Sequence, residues 1–205
     1  MWIWNRFFKD EYQVANIPFK DRGKRAYEFL QMLKRIWTDE IIEFKGEFYY
    51  IPASKIGPKL IQEPYPPIYL GGFTPNTFRR IVNQDGEGWI ITARGSIQEI
   101  GNGIEILREE AIKGDKNPNK FKVIVILSPN IVSYSNNDDD NENQSRYTEQ
   151  AQSHFSGTIE KVGTDLQILK EIGVEHVVFS YHFLPQGRDM EEIINISKEL
   201  TLYAR

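Results

Sequence analysis

Pro67-Ile68-Tyr69-Leu70-Gly71-Gly72-Phe73-Thr74-Pro75-Asn76-Thr77-Phe78-Arg79-Arg80 is a short apolar strand that runs through a glycine pair into a helix. Thr74 stands where an N-cap belongs. Pro75 suits the first helical position, because its missing N–H costs nothing there. The segment therefore predicts a strand over 67–72 and a helix over 75–83, joined by a tight turn with no hairpin between them.

The same rhythm continues downstream. Gly88-Trp89-Ile90-Ile91-Thr92 predicts a strand. Residues 96–112 predict a helix, with Ile97, Ile100, Ile104, Leu107 and Ala111 on one side, although Gly101 and Gly103 argue against it. Residues 121–127, extendable to 132, form a continuous β-branched run of the kind covered on both faces in parallel sheets. Ile159, Val162, Leu166 and Leu169 mark a helix over 159–172 that Gly173 ends as a C-cap. A strand over 176–181 and a helix over 190–203 close the series.

Repeated βα units of this length imply parallel strands with helical crossovers. Two α/β architectures remain open, a doubly wound sheet and part of a closed barrel. No Gly-x-Gly-x-x-Gly turn supports the dinucleotide-binding open sheet.

Upstream, Ala26, Phe29, Leu30, Leu33, Ile36 and Trp37 give a helix over 22–37 its apolar side. Residues 41–51 predict a small hairpin turning at Lys45-Gly46. Four prolines make 54–67 extended and irregular. No linker divides the chain, so 1–205 is expected to be one domain. Within it, 133–153 is expected to be a polar mobile loop, because 136–145 holds no apolar residue.

The chain of 205 residues carries 25 Lys and Arg against 29 Asp and Glu, a formal net charge of -4. The charges are scattered, which argues against a nucleic-acid or anionic-membrane surface. There is no Cys, so disulfides, thiolate zinc sites and Cys nucleophiles are excluded. That fits the cytoplasm. No apolar run approaches the roughly 20 residues a membrane helix needs. Asp138-Asp139-Asp140 lacks calcium-loop spacing, so no metal site is expected.

Chemistry concentrates at the quoted turn. A helix N-terminus offers unpaired N–H groups and the positive end of its dipole, and glycines before it let an anion approach. The hydroxyls of Thr74 and Thr77 and the amide of Asn76 add hydrogen bonds. Gly71, Gly72, Thr74, Asn76 and Thr77 are thus either a phosphate cradle or simply a well-capped turn. Ser156-Gly157-Thr158 is a second glycine-plus-hydroxyl cap, and reads first as a plain N-cap. Arg94, after the Trp89 strand, and His182, after the last strand, stand at carboxyl ends of strands, where barrel active sites collect. They are the candidates for acid–base work or ligand contact. Trp37 reads as helix packing and Trp89 as core.

With these residues in view, the sequence resembles the luciferase-like flavin-dependent oxidoreductases. The resemblance rests on Trp4-Asn5-Arg6, on 19–25 and on 33–38. It continues through Phe44-Lys45-Gly46-Glu47-Phe48-Tyr49, Ile56-Gly57-Pro58-Lys59, 66–72, Glu87-Gly88-Trp89, Phe155-Ser156-Gly157-Thr158 and Gly173-Val174. It implies a TIM-type barrel that binds FMN or the deazaflavin coenzyme F420. It also implies hydride transfer, and in some members O₂ activation, on a small-molecule substrate. It further implies that the turn at Gly71, Gly72, Phe73, Thr74, Asn76 and Thr77 holds the cofactor phosphate, and that the segment from Trp2 to Asn5 closes over the flavin side. Glu87 stands where the family usually has Asp.

Members usually place about four βα units before the Trp-Asn motif, and a complete barrel needs about 250 residues. The chain is therefore expected to be the later part of a barrel, truncated on its N-terminal side, with an N-terminal helix and a small hairpin insertion. Trp2-Ile3-Trp4 reads as a strand end. Half a barrel leaves open strand edges, so a homo-oligomer, or a partner carrying the missing half, is expected. The alternative to an enzyme is a non-catalytic remnant or interaction subunit that keeps the phosphate-binding turn.

Overall fold

The alternation read from the sequence is present in space. The computed structural model describes residues 2–3, 9–84, 86–93, 96–131, 154–181 and 190–204. They fall into two units, Met1–Gly72 and Phe73–Arg205.

In the first unit, β1 (Trp2–Ile3) lies parallel to β4 (Tyr69–Gly71), with Trp2 opposite Tyr69 and Ile3 opposite Leu70. Of the strand end expected at Trp2-Ile3-Trp4, the first two residues form β1, and Trp4 lies outside the described residues. Helix α1 (Lys9–Val14) and a 3₁₀ turn at Phe19–Asp21, neither foreseen, lead into α2 (Arg22–Thr38). Both are short and lack an apolar period. Lys59 ends α2 by donating through Nζ to the carbonyls of Ile36 and Asp39, at 2.7 and 2.5 Å. Of the apolar side chains on α2, only Leu30 and Met32 are fully buried. Met32 packs with Ile42 and Phe44 of the hairpin.

The hairpin pairs β2 (Ile42–Lys45) with β3 (Tyr50–Ser54), antiparallel. Its turn is not at Lys45-Gly46 as expected. Lys45 pairs with Tyr50, and the Gly46 N–H donates to the Tyr49 carbonyl at 2.9 Å, so the chain reverses over Glu47 and Phe48. Glu28 of α2 accounts for the displacement. Its carboxylate accepts the backbone N–H groups of Glu47, Phe48 and Tyr49 at 3.0, 2.8 and 2.8 Å. A side chain nineteen residues upstream cannot be seen by a local turn rule.

In the second unit, α3 (Pro75–Asn83), β5 (Gly88–Thr92), α4 (Ile97–Lys113) and β6 (Lys122–Leu127) follow in order. Then come the two-residue strands β7 (Asn130–Ile131) and β8 (Ser156–Gly157), and α5 (Ile159–Ile172), β9 (His176–Phe179) and α6 (Met190–Tyr203). β5, β6 and β9 form parallel ladders in which Ile90 faces Ile124, and Val125 faces Val177.

The run at 121–127 is not covered equally on both faces. Val123, Val125 and Leu127 are buried, whereas Ile124 and Ile126 are half-buried and Val178 on β9 is 46% exposed. Successive Cβ atoms point to opposite faces, so alternate exposure marks a sheet with one well-filled side. The run also stops at Leu127. Asn130 and Ile131 leave it to pair in parallel with Ser156 and Gly157. β9 likewise ends at Phe179 rather than Tyr181.

Helix α4 forms despite its glycines. Ser96 and Glu99 close its start as a capping box. Gly103 is there for space: a Cβ on it would sit 2.4 Å from Cη2 of Trp89 and 3.1 Å from Phe73. Trp89 is fully buried, with the rings of Phe73 and Phe78 at 5.6 and 5.2 Å. Trp37 and Tyr65 stack in the first unit at 5.9 Å.

Among the described residues the strands do not close into a barrel, no helix is long and apolar enough to cross a membrane, and no cluster of acidic or histidine side chains could hold a metal. The polar loop expected at 133–153, Trp4-Asn5-Arg6, Arg94 and His182 all lie outside the described residues.

Candidate functional site

The sequence around residue 70 builds its turn from the strand outward. Ile68 and Leu70 are buried and fix β4. Gly72 takes φ 123°, a backbone conformation in which any side chain would be strained. The chain then leaves the strand direction and starts a helix. Thr74 is extended, at φ -124° and ψ 152°, and caps α3, with Pro75 in the first turn. Phe78, Ile81 and Val82 bury the opposite side and anchor the helix.

The polar groups of the turn are accounted for one by one. The Thr77 N–H donates to the Thr74 carbonyl at 2.8 Å and more weakly to Thr74 Oγ1 at 3.3 Å. The hydroxyls of Thr74 and Thr77 lie 3.0 Å apart and share a proton donor between them. One hydroxyl hydrogen of the pair is thus committed to the other oxygen. Phe78 donates to the Thr74 carbonyl at 3.4 Å. Among the described residues no hydrogen bond takes the Asn76 backbone N–H, and the Asn76 side chain is exposed. Thr74, Asn76 and Thr77 therefore come together at the opening turn of α3, and Gly71 and Gly72 are the chain that leads into it. Part of this geometry is ordinary capping, because Thr74 satisfies one amide itself.

What separates this turn from the helix starts that follow it in the second unit is charge. The first turn of α3 contains no acidic residue. At α4 the Glu99 carboxylate accepts from the Ser96 N–H at 3.1 Å. At α5 the backbone N–H of Glu160, and then the Thr158 hydroxyl, donate to the Glu160 carboxylate and hold it below the ordinary glutamate range. Glu191 and Glu192 open α6. An N-terminus already holding a carboxylate repels a second anion; α3 offers its positive end uncovered.

The second glycine-hydroxyl turn is thus a structural cap, as its plain reading held. The Thr158 side chain accepts from the Lys161 N–H at 3.3 Å. What the sequence did not reveal is the group that shapes it. Asp165, 7% exposed, accepts the Phe155 N–H at 2.8 Å and the Lys161 Nζ at 3.1 Å through the same oxygen. Phe155 itself sits at φ 60°. An Asp between Val162 and Leu166 on an apolar helix side was the one available signal. His154 lies 3.8 Å from Asp165. His176 begins β9, at the amino end of the strand.

Parallel strands that feed helices, with a glycine-led and acid-free helix start after one of them, define an α/β protein built from βα units. The family model described as luciferase-like monooxygenase matches residues 7–176. The chain belongs to that family.

Two curated relatives and two solved structures bear on it. An uncharacterized protein of Mycobacterium tuberculosis is 34% identical over 118 residues, covering 56% of this chain and 38% of that one. The FMNH(2)-dependent dimethylsulfone monooxygenase of Pseudomonas putida is 30% identical over 108 residues, covering 51% of this chain and 29% of that one. The chain thus spans well under half the length of these relatives. Monooxygenase RslO1 from Streptomyces bottropensis superposes over 100% of this chain and 66% of its own, with TM-score 0.74 and 14% identity. The coenzyme F420 dependent tetrahydromethanopterin reductase from Methanopyrus kandleri superposes over 100% of this chain and 74% of its own, with TM-score 0.70 and 14% identity. At these identities the structures speak for the fold. Relatives within the family use FMN or coenzyme F420.

Proposed function

We propose that the chain binds FMN or coenzyme F420 and serves an oxidoreductase reaction on a small organic substrate, by hydride transfer or, with O₂, by monooxygenation. The observation that carries this reading is the acid-free, glycine-led start of α3 in a chain of the luciferase-like family. Gly71 and Gly72 give an anion room beside the backbone. The Asn76 N–H, the Asn76 amide and the hydroxyls of Thr74 and Thr77 supply donors to its phosphate. Hydrogen bonds to a charged group contribute about 1.5–3 kcal/mol each, so two or three suffice to orient a dianionic tail.

The bound flavin supplies the redox chemistry, and the protein holds and orients it. The hydroxyl pair sets the direction of the donated hydrogen: one threonine donates to the other, and the second is left to donate to the ligand. The buried Phe78 and Trp89 keep the first turn of α3 from shifting, which preserves that geometry. His182 and Arg94 remain the proposed acid–base or ligand-contact residues. Association is part of the same reading: Val178 on β9 is 46% exposed, and an open strand edge favours a partner.

Titration of the purified chain with FMN and with coenzyme F420, followed by fluorescence, tests the binding. Saturation by one of them is expected, weakened about tenfold in Thr74→Val. No fluorescence change at high micromolar concentration of either would overturn it. Oxidation of the reduced cofactor above the rate of the free cofactor separates an enzyme from a binding remnant. Light scattering at micromolar concentration reads the association; a well-folded monomer would contradict that part.

A further inference from the structure

The second unit contains a cavity of about 700 Å³ that the cofactor turn does not use. It opens at the amino ends of β6 and β9, whereas α3 leads into the amino end of β5 and so begins at the other end of the sheet. Its floor is apolar and buried: Leu107 from α4, Phe121 and Val123 from the start of β6, Leu166 from α5, and Val174. Its rim is cationic, with Arg108 from α4 and Lys170 from α5. Glu175, the one carboxylate among the described residues that line it, lies 3.5 Å from Lys122 and is partly neutralised.

The simplest role for two cations here is to offset the carbonyl end of α5. The structure shows that this end is largely satisfied already. Gly173 closes the helix in the left-handed conformation, its N–H bonding to the carbonyls of Leu169 and Lys170. The Val174 N–H takes the Leu169 carbonyl at 2.9 Å. Arg108 lies over Gly173, with Nη2 2.7 Å from where a Cβ would stand, and makes no hydrogen bond or ion pair among the described residues. An uncompensated guanidinium beside an apolar recess of ligand size is a recognition pattern: the recess takes a chain and the fork takes an acid.

We propose that this cavity binds a soluble amphiphilic monoanion, an aliphatic carboxylate whose chain lies against Leu107, Val123 and Leu166 and whose head is held by Arg108.

The test is isothermal titration of the full chain with octanoate, run against octan-1-ol and repeated in Arg108→Gln. A saturable one-to-one heat is expected for octanoate, weakened about tenfold in Arg108→Gln and for octan-1-ol alike. Arg108 is exposed, so the variant should keep the wild-type circular dichroism, and Arg108→Lys should recover part of the affinity. The octanoate heat should be unchanged by saturating FMN. Absence of a saturable heat, equal binding by Arg108→Gln or by octan-1-ol, or displacement by FMN would each overturn the proposal.

Discussion

Two glycines two positions apart on α4 should respond in opposite ways to the same substitution. Gly101→Ala and Gly103→Ala both gain helix propensity, about 0.8–1 kcal/mol each. At Gly101 nothing lies within 4 Å of the added methyl, so the gain should appear as stability. At Gly103 the methyl would meet Trp89 Cη2 at 2.4 Å and Cζ3 at 2.8 Å. Trp89 cannot retreat: it is 0% exposed and enclosed by Phe73 and Phe78. Inserting a methyl into a packed core costs about 1–3 kcal/mol. The propensity gain is common to both variants and cancels in the comparison. The gap between them is therefore the packing cost itself, about 1–3 kcal/mol in favour of Gly101→Ala. Urea unfolding followed by tryptophan fluorescence measures it. Gly103→Ala within about 0.5 kcal/mol of Gly101→Ala would show that Trp89 is not the reason for the glycine.

Other perturbations follow from the same geometry. Burial disfavours the Glu28 charge, but the backbone N–H groups of Phe48, Tyr49 and Glu47, helped by Arg25, outweigh it and hold the carboxyl below its ordinary value. A carboxyl depressed in the folded state stabilises above its unfolded value, and that stability disappears as pH falls through the folded one. Glu28→Gln should therefore lower stability at neutral pH and flatten the loss from about pH 5 downward, read by thermal melts across pH. Asp165→Ala leaves the buried Phe155 N–H without its acceptor and should cost about 1–3 kcal/mol in urea unfolding; Asp165→Asn, which keeps an acceptor oxygen, should cost less. Thr74→Ala should cost about 1 kcal/mol as a lost helix cap, while Thr74→Ser should restore both stability and cofactor binding. Lys113 and then Arg79 hold the Glu110 carboxyl below its usual range, so Glu110→Gln should destabilise more at low than at high salt.

Helices α3, α5 and α6 were legible within a residue because their apolar side chains recur at helical spacing and their ends carry Thr74, Thr158 and Gly173. The parallel order followed from strands that feed helices without hairpins. The glycine pair and the hydroxyls of the candidate site were also local features. Their physical basis, a positive φ at Gly72 and a cap at Thr74, acts within a few residues.

Other features needed residues far apart in the chain. The hairpin turn moved because Glu28 reaches it from α2. Gly103 counted against a helix in the sequence and proved to be the gap that Trp89 fills. Asp165 is buried on α5 and takes the Phe155 N–H, ten residues back along the chain. That α3 keeps a bare helix start while α5 holds its own carboxylate was decided by side-chain hydrogen bonds that spacing does not encode. Sequence by itself determined which segments become strands, helices and turns, because dihedral preference and periodic apolarity act locally. Only the tertiary structure decided where space is short, which charges are already answered and which donors are left to a ligand, because those depend on contacts between residues distant along the chain.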